Sequence, residues 1–226
     1  MKTTMYDTLL QLPLFQGLCQ NDFTSILGKI KLHFSKHKAG EKIVCQRESC
    51  NGLIFLLQGE IMSETTDNDS LYTRCEYFTE PFVIEPYSLF GMFTNYTATY
   101  TALSDVNIVT VDKAFVLTEL NKYDIFRLNY LNIISNRSQN LYYKLWNNKA
   151  NSVEDKIIYF FLSHTEKTSG KKLLKIKMED FAILLNDTRL SVSKALNELQ
   201  EEGLLTLRRK EIEIPEIERL NNSLAL

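Results

Sequence analysis

Three patterns in the sequence predict the fold class. Residues 30 to 112 carry short apolar runs punctuated by Gly, Pro, Asn and Asp, a pattern typical of a compact β-roll or barrel. Residues 125 to 147 contain neither Gly nor Pro and predict one long helix. Residues 171 to 214 indicate a strand, two short helices and a hairpin. We therefore expect an α+β protein with an N-terminal double-stranded β-roll, a long dimerisation helix and a C-terminal winged helix-turn-helix.

The first predicted domain is the β-roll, a sensor-like or effector domain over residues 1–112. It opens with a short helical region at residues 13–30, where Asn21 and Asp22 are candidate helix caps. Apolar composition marks strand-like segments at residues 43–44, 53–57, 99–103 and 106–111. Turns are expected between them at residues 58–60 and 104–105.

The second predicted segment is the dimerisation helix, residues 113–148, which a short helix at residues 115–120 introduces. Five positions spaced three and four residues apart form a heptad-like seam suited to helix–helix dimerisation. An alternative is a helix packed on its own β-domain, with Ile133, Tyr142 and Trp146 making that contact. The seam consists of Leu131, Ile134, Ser138, Leu141 and Leu145.

The third predicted domain, residues 149–226, begins at a hinge over residues 149–151. Ser152 then starts a helix, with Asp155 three residues on in a position like that of a capping box. In the helix-turn-helix that follows, residues 178–185 have one apolar face, and Asn186, Asp187 and Thr188 interrupt the helical pattern. Thr188 is a good N-cap for a second helix, and Gly203 is a plausible end for it.

The second helix of this motif separates its residues into two faces. An apolar stripe of Val192, Ala195, Leu196 and Leu199 should pack inward. The opposite face starts with an arginine, which can reach guanine edges or phosphates, while serine and lysine suit phosphate oxygens. A solvated face on an ordinary helical hairpin is the alternative. The residues predicted to contact double-stranded DNA from this helix are Thr188, Arg189, Leu190, Ser191, Ser193, Lys194 and Asn197.

A basic hairpin follows. Residues 204–214 alternate apolar and polar on both sides of Arg208, Arg209 and Lys210, and the lysine-rich residues 171–177 predict another strand upstream. This arrangement predicts a wing whose three basic residues touch backbone phosphates beside the recognition helix.

Composition limits how DNA could be bound. The chain has 226 residues and a net charge of −2, and residues 149–226 hold 13 Lys and Arg against 13 Asp and Glu. Binding must therefore depend on the local placement of positive groups. The four cysteines show no CxxC spacing, and the chain has no long apolar run and no signal-peptide pattern. We expect a cytoplasmic protein with free thiols and no membrane contact.

The order of these elements resembles the Crp/Fnr family of bacterial transcription regulators over nearly the whole chain. The resemblance is carried by residues 14–18 (LFQGL), 38–43 (KAGEKI), 54–60 (IFLLQGE), 188–196 (TRLSVSKAL) and 199–205 (LQEEGLL). It implies a homodimer on a two-fold-related DNA operator, with RNA polymerase and a small-molecule effector as further expected partners. By position, Arg189 is similar to the family's guanine-reading arginine and Lys194 to a second basic contact. Leu190 replaces an acidic residue that accepts from cytosine, and a leucine could contact a thymine methyl instead.

The effector region departs from the cyclic-nucleotide-binding pattern that the resemblance implies. Gly91 is followed by Met92 where those relatives carry Glu, and no Arg lies between residues 75 and 126. A buried phosphate without a cation is strongly disfavoured, so a signal other than cyclic AMP is expected. An apolar effector pocket is one interpretation, and a filled β-roll interior is the other. The candidate pocket residues are Phe82, Phe90, Gly91, Met92, Phe93, Tyr96, Leu141 and Tyr142.

Cofactor and enzyme functions find little support. Only Cys19 lies near the N-terminus, which argues against a four-cysteine iron–sulfur cluster, and Cys75 is a candidate haem ligand only if it is not a structural thiol. A metal-dependent barrel enzyme needs clustered ligands, whereas the histidines are His33, His37 and His164. We expect no catalytic site, metal or cofactor. A ligand-binding or protein-interaction module without DNA binding stays open as an alternative.

Overall fold

A computed structural model describes residues 5–29, 31–79, 81–146 and 150–223. The strands are β1 (Leu32–His37), β2 (Lys42–Val44), β3 (Gly52–Gln58), β4 (Ile61–Thr66), β5 (Tyr72–Phe78), β6 (Phe82–Ile84), β7 (Thr99–Ala102), β8 (Val106–Asp112), β9 (Lys172–Ile176), β10 (Thr206–Arg208) and β11 (Glu211–Ile214). The α-helices are α1 (Met5–Gln11), α2 (Gln20–Leu27), α3 (Lys113–Thr118), α4 (Asp124–Trp146), α5 (Val153–His164), α6 (Met178–Leu184), α7 (Arg189–Glu201) and α8 (Ile217–Ser223). Short 3-10 helices lie at Pro13–Phe15, Pro86–Ser88 and Leu120–Lys122.

The chain folds as two compact units, and neither is continuous in sequence. The first unit comprises the residues up to Met62 together with Phe78–Gln139. The second comprises Ser63–Tyr77 and the residues from Asn140 onward. The expected domain limits of 1–112, 113–148 and 149–226 stay predictions. The expected helix end at residue 147 and hinge residue 149 lie outside the described residues.

The first unit is built around the central strand β3. Its sheet has the order β1-β8-β3-β6, and β2 pairs with β7. The first five residues of β3 are buried, since the strand is covered on both faces. Gly52 permits the close approach of β8, because a Cβ there would meet the Val111 carbonyl oxygen at 2.6 Å. The mixed α+β class is confirmed, and strands lie where residues 43–44, 53–57, 99–103 and 106–111 predicted them.

Helix α4 begins at Asp124, one residue before its predicted start. Phe126 is fully buried in the first unit's core, and Tyr130 and Ile133 pack against that core. The packing role expected of Ile133 is therefore observed, whereas Tyr142 and Trp146 are exposed. Along the predicted dimer seam, four residues are exposed and Ile134 is half-buried; the exposed ones are Leu131, Ser138, Leu141 and Leu145.

The second unit contains the helix-turn-helix. Helix α5 starts with the capping box that the sequence predicted: Ser152 Oγ accepts from the Asp155 amide at 3.0 Å, and the Asp155 carboxylate accepts from the Ser152 amide. Apolar residues of α5, α6 and α7 close one core with β9, β11 and α8. This core fixes the spacing of the helices that carry the candidate site.

A hairpin from far upstream completes the sheet of this unit. The strand order is β10-β11-β9-β5-β4, with Thr73 opposite Lys175 and Cys75 opposite Leu173. Lys172 Nζ lies 2.9 Å from Glu76 Oε2, and both side chains are at most 5% exposed. The sequence did not predict β5 or its pairing with β9.

Candidate nucleic-acid interface

Helices α6 and α7 are joined by a tight turn with specific polar contacts. Asn186 adopts a positive φ of 49°, which Asn tolerates better than most residues. Asp187 Oδ1 accepts from the Thr188 amide at 2.8 Å, and Lys156 Nζ donates to its Oδ2 at 3.0 Å. The lysine hydrogen bond lowers the pKa of Asp187, so the carboxylate stays charged. The pair ties the start of α7 to α5.

Helix α7 has the caps that the sequence predicted. Thr188 is the N-cap, and its Oγ1 accepts from the Ser191 amide at 3.1 Å. At the other end Gly203 has φ +70°, and the amides of Gly203 and Leu204 return to the carbonyls of Gln200 and Leu199. This is the paired hydrogen-bond pattern that closes a helix at a left-handed glycine. The predicted inward stripe is at most 3% exposed; its members are Val192, Ala195, Leu196 and Leu199.

The opposite face of α7 is open to solvent. Leu190 is 81% exposed, and the Arg189 and Lys194 side chains are 68% and 77% exposed. Asn197 is exposed too, and its Nδ2 donates to the Ser193 carbonyl at 2.9 Å. Of the residues predicted to contact DNA, two are half-buried, Ser191 and Ser193. The exposed ones are Thr188, Arg189, Leu190, Lys194, Asn197, Arg208, Arg209 and Lys210.

Three of these cations lie beside carboxylates. Arg189 Nη1 is 3.2 Å from Glu179 Oε1 on α6, and Lys194 Nζ is 3.6 Å from Glu198 Oε1. Arg208 Nη2 is 3.3 Å from Glu213 Oε2. In the first two pairs both side chains are at least 45% exposed, and such pairs contribute roughly 0–1 kcal/mol each, so a phosphate can replace the carboxylate with little loss of stability. The pairing explains how a basic edge exists in a domain of balanced charge.

The wing is a tight hairpin. Arg208 pairs with Glu211 across β10 and β11, which leaves Arg209 and Lys210 in the turn. Lys210 has φ 62°, a left-handed conformation in the turn. Gln200 Oε1 accepts from the Leu207 amide at 2.7 Å and so joins α7 to the wing.

A groove with a volume of about 270 Å³ separates α6 from the wing. Its floor is apolar, and Lys177, Arg208 and Lys210 lie along it with Glu179 and Glu211. The sequence pattern predicted Lys177 in a strand and did not indicate it as a site residue. Its position one residue before the first helix of the motif was the available signal.

A comparison with protein families gives a match over this region. Residues 155–223 match the family described as the Crp-like helix-turn-helix domain. Over these residues the chain is similar to Crp-like helix-turn-helix domains. The match covers both helices, the wing and α8, so the Crp-like domain contains every residue predicted to contact DNA.

Solved structures extend the likeness across the chain. The catabolite activator protein of Thermus thermophilus is 19% identical, with a TM-score of 0.54 over 93% of this chain and 97% of that one. A transcriptional regulator of the Crp/Fnr family from Eubacterium rectale is 18% identical, with a TM-score of 0.52 over 95% and 98%. No curated protein sequence matches the chain. The structural likeness shows the Crp/Fnr fold, a cyclic-nucleotide-binding-like β-roll with a helix-turn-helix.

The residues of the candidate effector pocket have different surroundings. Tyr96 is buried in the first unit's core, whereas Met92 and Phe93 are 89% and 80% exposed. Phe82 stacks on Phe78 with ring centroids 4.5 Å apart. Phe90 lines an open groove of about 490 Å³ with residues of α3 and α4. Gly91 is exposed with φ +105°, and Leu141 and Tyr142 are exposed on α4. The effector pocket stays a prediction.

The cysteines and histidines are placed as follows. Cys75 is 1% exposed, and burial raises the pKa of its thiol to about 11, which keeps it protonated and poorly suited to ligate a metal. His33 faces Asp112, and His37 faces Glu41. Within the described residues, no three His, Cys, Asp or Glu side chains gather where a metal ion could bind. Nor does that part of the chain contain a helix long and apolar enough to cross a membrane.

Proposed function

We propose that this protein is a sequence-specific DNA-binding transcription regulator of the Crp/Fnr type. The observation that carries the proposal is the exposed edge of α7. Its inward stripe is buried and its caps are complete, so the helix presents Arg189, Leu190 and Lys194 outward on a rigid support. A rigid, solvent-facing helix with cations near its N-terminus suits the major groove of DNA.

Each residue of the edge has a distinct role in this proposal. Arg189 reads a guanine edge with two donors, and Leu190 contacts a thymine methyl. Thr188, Ser191, Ser193, Lys194 and Asn197 approach the sugar–phosphate backbone and the groove beside those two. On the wing, Arg208, Arg209 and Lys210 contact phosphates, which fix orientation and carry no sequence information. Lys177 adds a positive charge in the groove between α6 and the wing.

The protein acts as a homodimer in this proposal. The exposed residues Leu131, Leu141 and Leu145 lie along one side of α4 and would be covered by the same helix of a second copy. Two copies related by a two-fold axis place two recognition helices one turn of DNA apart. The operator is then two-fold related, RNA polymerase is the partner at the promoter, and the chain works in the cytoplasm without catalysing a reaction. The signal is something other than cyclic AMP, because the phosphate-binding arginine of that pattern is missing.

Selection of bound DNA from a random pool tests the proposal directly. We expect the full chain to enrich a two-fold-related sequence whose half-sites are about 10 base pairs apart, centre to centre, or a multiple of that. The same selection with Arg189→Ala is the matched comparison and should enrich a less restricted sequence. Failure of the wild-type chain to enrich any sequence at low salt would favour the alternative of an interaction module without DNA binding.

A further inference from the structure

The β-roll contains a buried carboxylate held entirely by neutral donors. Glu85 is 1% exposed, and it follows β6 at the start of the 3-10 helix Pro86–Ser88. Its Oε2 accepts from Ser88 Oγ and from the Thr97 amide, both at 2.8 Å. Its Oε1 accepts from Thr97 Oγ1 at 2.9 Å and from the Ala98 amide at 3.0 Å. Four hydrogen bonds thus converge on one charged group.

The arrangement of these donors is that of an anion site. Thr97 and Ala98 supply two successive backbone N–H groups that donate to the same carboxylate, one to each of its oxygens. Hydroxyls of Ser88 and Thr97 complete it. Hydrogen bonds to a charged acceptor are stronger than those between neutral groups, so the site favours an anion over a neutral ligand.

The backbone is strained in order to place this carboxylate. Glu85 has φ 38° and ψ 57°, a left-handed conformation that a residue with a side chain adopts at an energetic disadvantage. The hydrogen bonds of its side chain offset that strain. The sequence has a glutamate at this position and not a glycine, which would adopt the left-handed conformation without strain.

The segment that carries the carboxylate also contacts helix α4. Tyr130 donates its hydroxyl proton to the Pro86 carbonyl, and burial raises the pKa of Tyr130 to about 12, which keeps that proton in place. Arg137 Cζ lies 3.4 Å from the ring centroid of Tyr87. Both contacts fall between residue 85 and residue 88, so this segment helps to hold α4 in place.

We propose that the donors of Ser88, Thr97 and Ala98 form an anion-binding site whose resident ligand is the chain's own Glu85 carboxylate, and that its occupancy holds the Pro86–Ser88 segment against α4. A small carboxylate is the class of ligand that fits the site once the Glu85 side chain is removed. The β-roll therefore carries its own ligand at this position. The inference concerns the β-roll alone and is independent of DNA binding.

Thermal unfolding of the full chain in formate tests it, with chloride at equal ionic strength as the reference. Glu85→Ala should lower Tm, and formate should raise it again along a saturable curve that chloride does not reproduce. Wild type and Glu85→Gln should show no saturable response, because a side chain fills the site. Glu48→Ala is the matched control: Glu48 is an exposed carboxylate of the same unit that accepts a single backbone amide, from Cys45, at 2.9 Å.

Hydrogen exchange separates a ligand site from simple loss of stability. In Glu85→Ala the α4 amides of residues 126–137 should exchange about tenfold faster, and formate should restore their protection. If Glu85→Ala is insoluble, the yield on refolding in formate against chloride is measured instead, and a higher yield in formate is expected. Equal formate responses in Glu85→Ala and Glu48→Ala, no response in either, or equal refolding yields would overturn the proposal.

Discussion

Arg189 Nη1 lies 3.2 Å from Glu179 Oε1, so the arginine expected to read bases is held in the free protein by a carboxylate of the preceding helix. Both side chains are more than half exposed. The contact keeps the guanidinium at the N-terminal end of α7, which enters the major groove first in the proposed complex. In the proposed complex, DNA competes with the Glu179 carboxylate for the guanidinium.

Replacement of Arg189 should affect affinity and selectivity together. Arg189→Ala should weaken binding to the selected operator by ~1–3 kcal/mol and relax the base preference at the contacted position, because alanine has neither of the two donors. Fluorescence anisotropy with the operator and single-base variants measures both effects. Arg219→Ala, on α8 outside the motif and the wing, is the matched control and should bind as wild type does. Unchanged discrimination in Arg189→Ala would show that another residue reads this position.

Replacement of Leu190 should change the base preference at a second position. Leu190→Glu should move the preference at its contact toward cytosine, because a carboxylate accepts from the cytosine amino group whereas leucine contacts the thymine methyl. Leu190→Ala should abolish the thymine preference without creating a new one. Parallel selections from one random pool compare the three proteins. The same enriched base in all three would contradict a direct contact.

The wing should contribute affinity without selectivity. Replacement of both Arg208 and Arg209 by Ala should weaken binding to every sequence. It should also reduce the slope of log K against log salt by about 0.9 for each phosphate that the wing no longer neutralises. Titrations at several salt concentrations, with operator and with unrelated DNA, give both slopes. If binding to the operator alone is weakened, these arginines contact bases and not phosphates.

Helix α4 should control the oligomeric state. Leu131→Glu should convert a dimer into a monomer, because it places a charge in the predicted seam. Sedimentation equilibrium measures the association. Tyr143→Glu is the control, since Tyr143 is 62% exposed and lies about 120° around the helix from Leu131. A dimer that survives Leu131→Glu would move the interface to another surface.

Acid should destabilise the Crp-like domain in part through Asp187. The Lys156 hydrogen bond lowers the pKa of Asp187 in the folded state, so this contribution to stability is present above the unfolded pKa and is lost as pH falls through the folded pKa. Asp187→Asn should therefore flatten the fall in the free energy of unfolding below about pH 4, near the ordinary aspartate value. Urea unfolding at a series of pH values measures it. When Asp187→Asn is introduced into the Lys156→Met variant, it should change the free energy of unfolding little further. Additive changes in that free energy would show that the two side chains act separately.

Local signals predicted most of the C-terminal half of the candidate site. Thr188, Gly203 and the stripe beginning at Val192 each act through their own neighbours, so spacing alone places them. The position of Lys177 in the candidate site was not predicted, because it depends on a groove that forms only when α6 and the wing meet. The resident carboxylate Glu85 was missed for the same reason: its partners Thr97 and Ala98 come from a different part of the chain. The pairing of β5 with β9 joins residues about a hundred positions apart, and no local pattern in either strand indicates it.

That pairing determines which pieces of the chain can stand alone. A fragment starting at Asn140 would lack Glu76, so the buried ammonium group of Lys172 would lose the carboxylate with which it forms a salt bridge. One edge of β9 would also expose unpaired amides and carbonyls, with which a strand of another molecule could pair. The winged helix-turn-helix should therefore be produced with residues 63–77 attached. A fragment that begins at Asn140 and lacks them should aggregate for reasons unrelated to its DNA contacts.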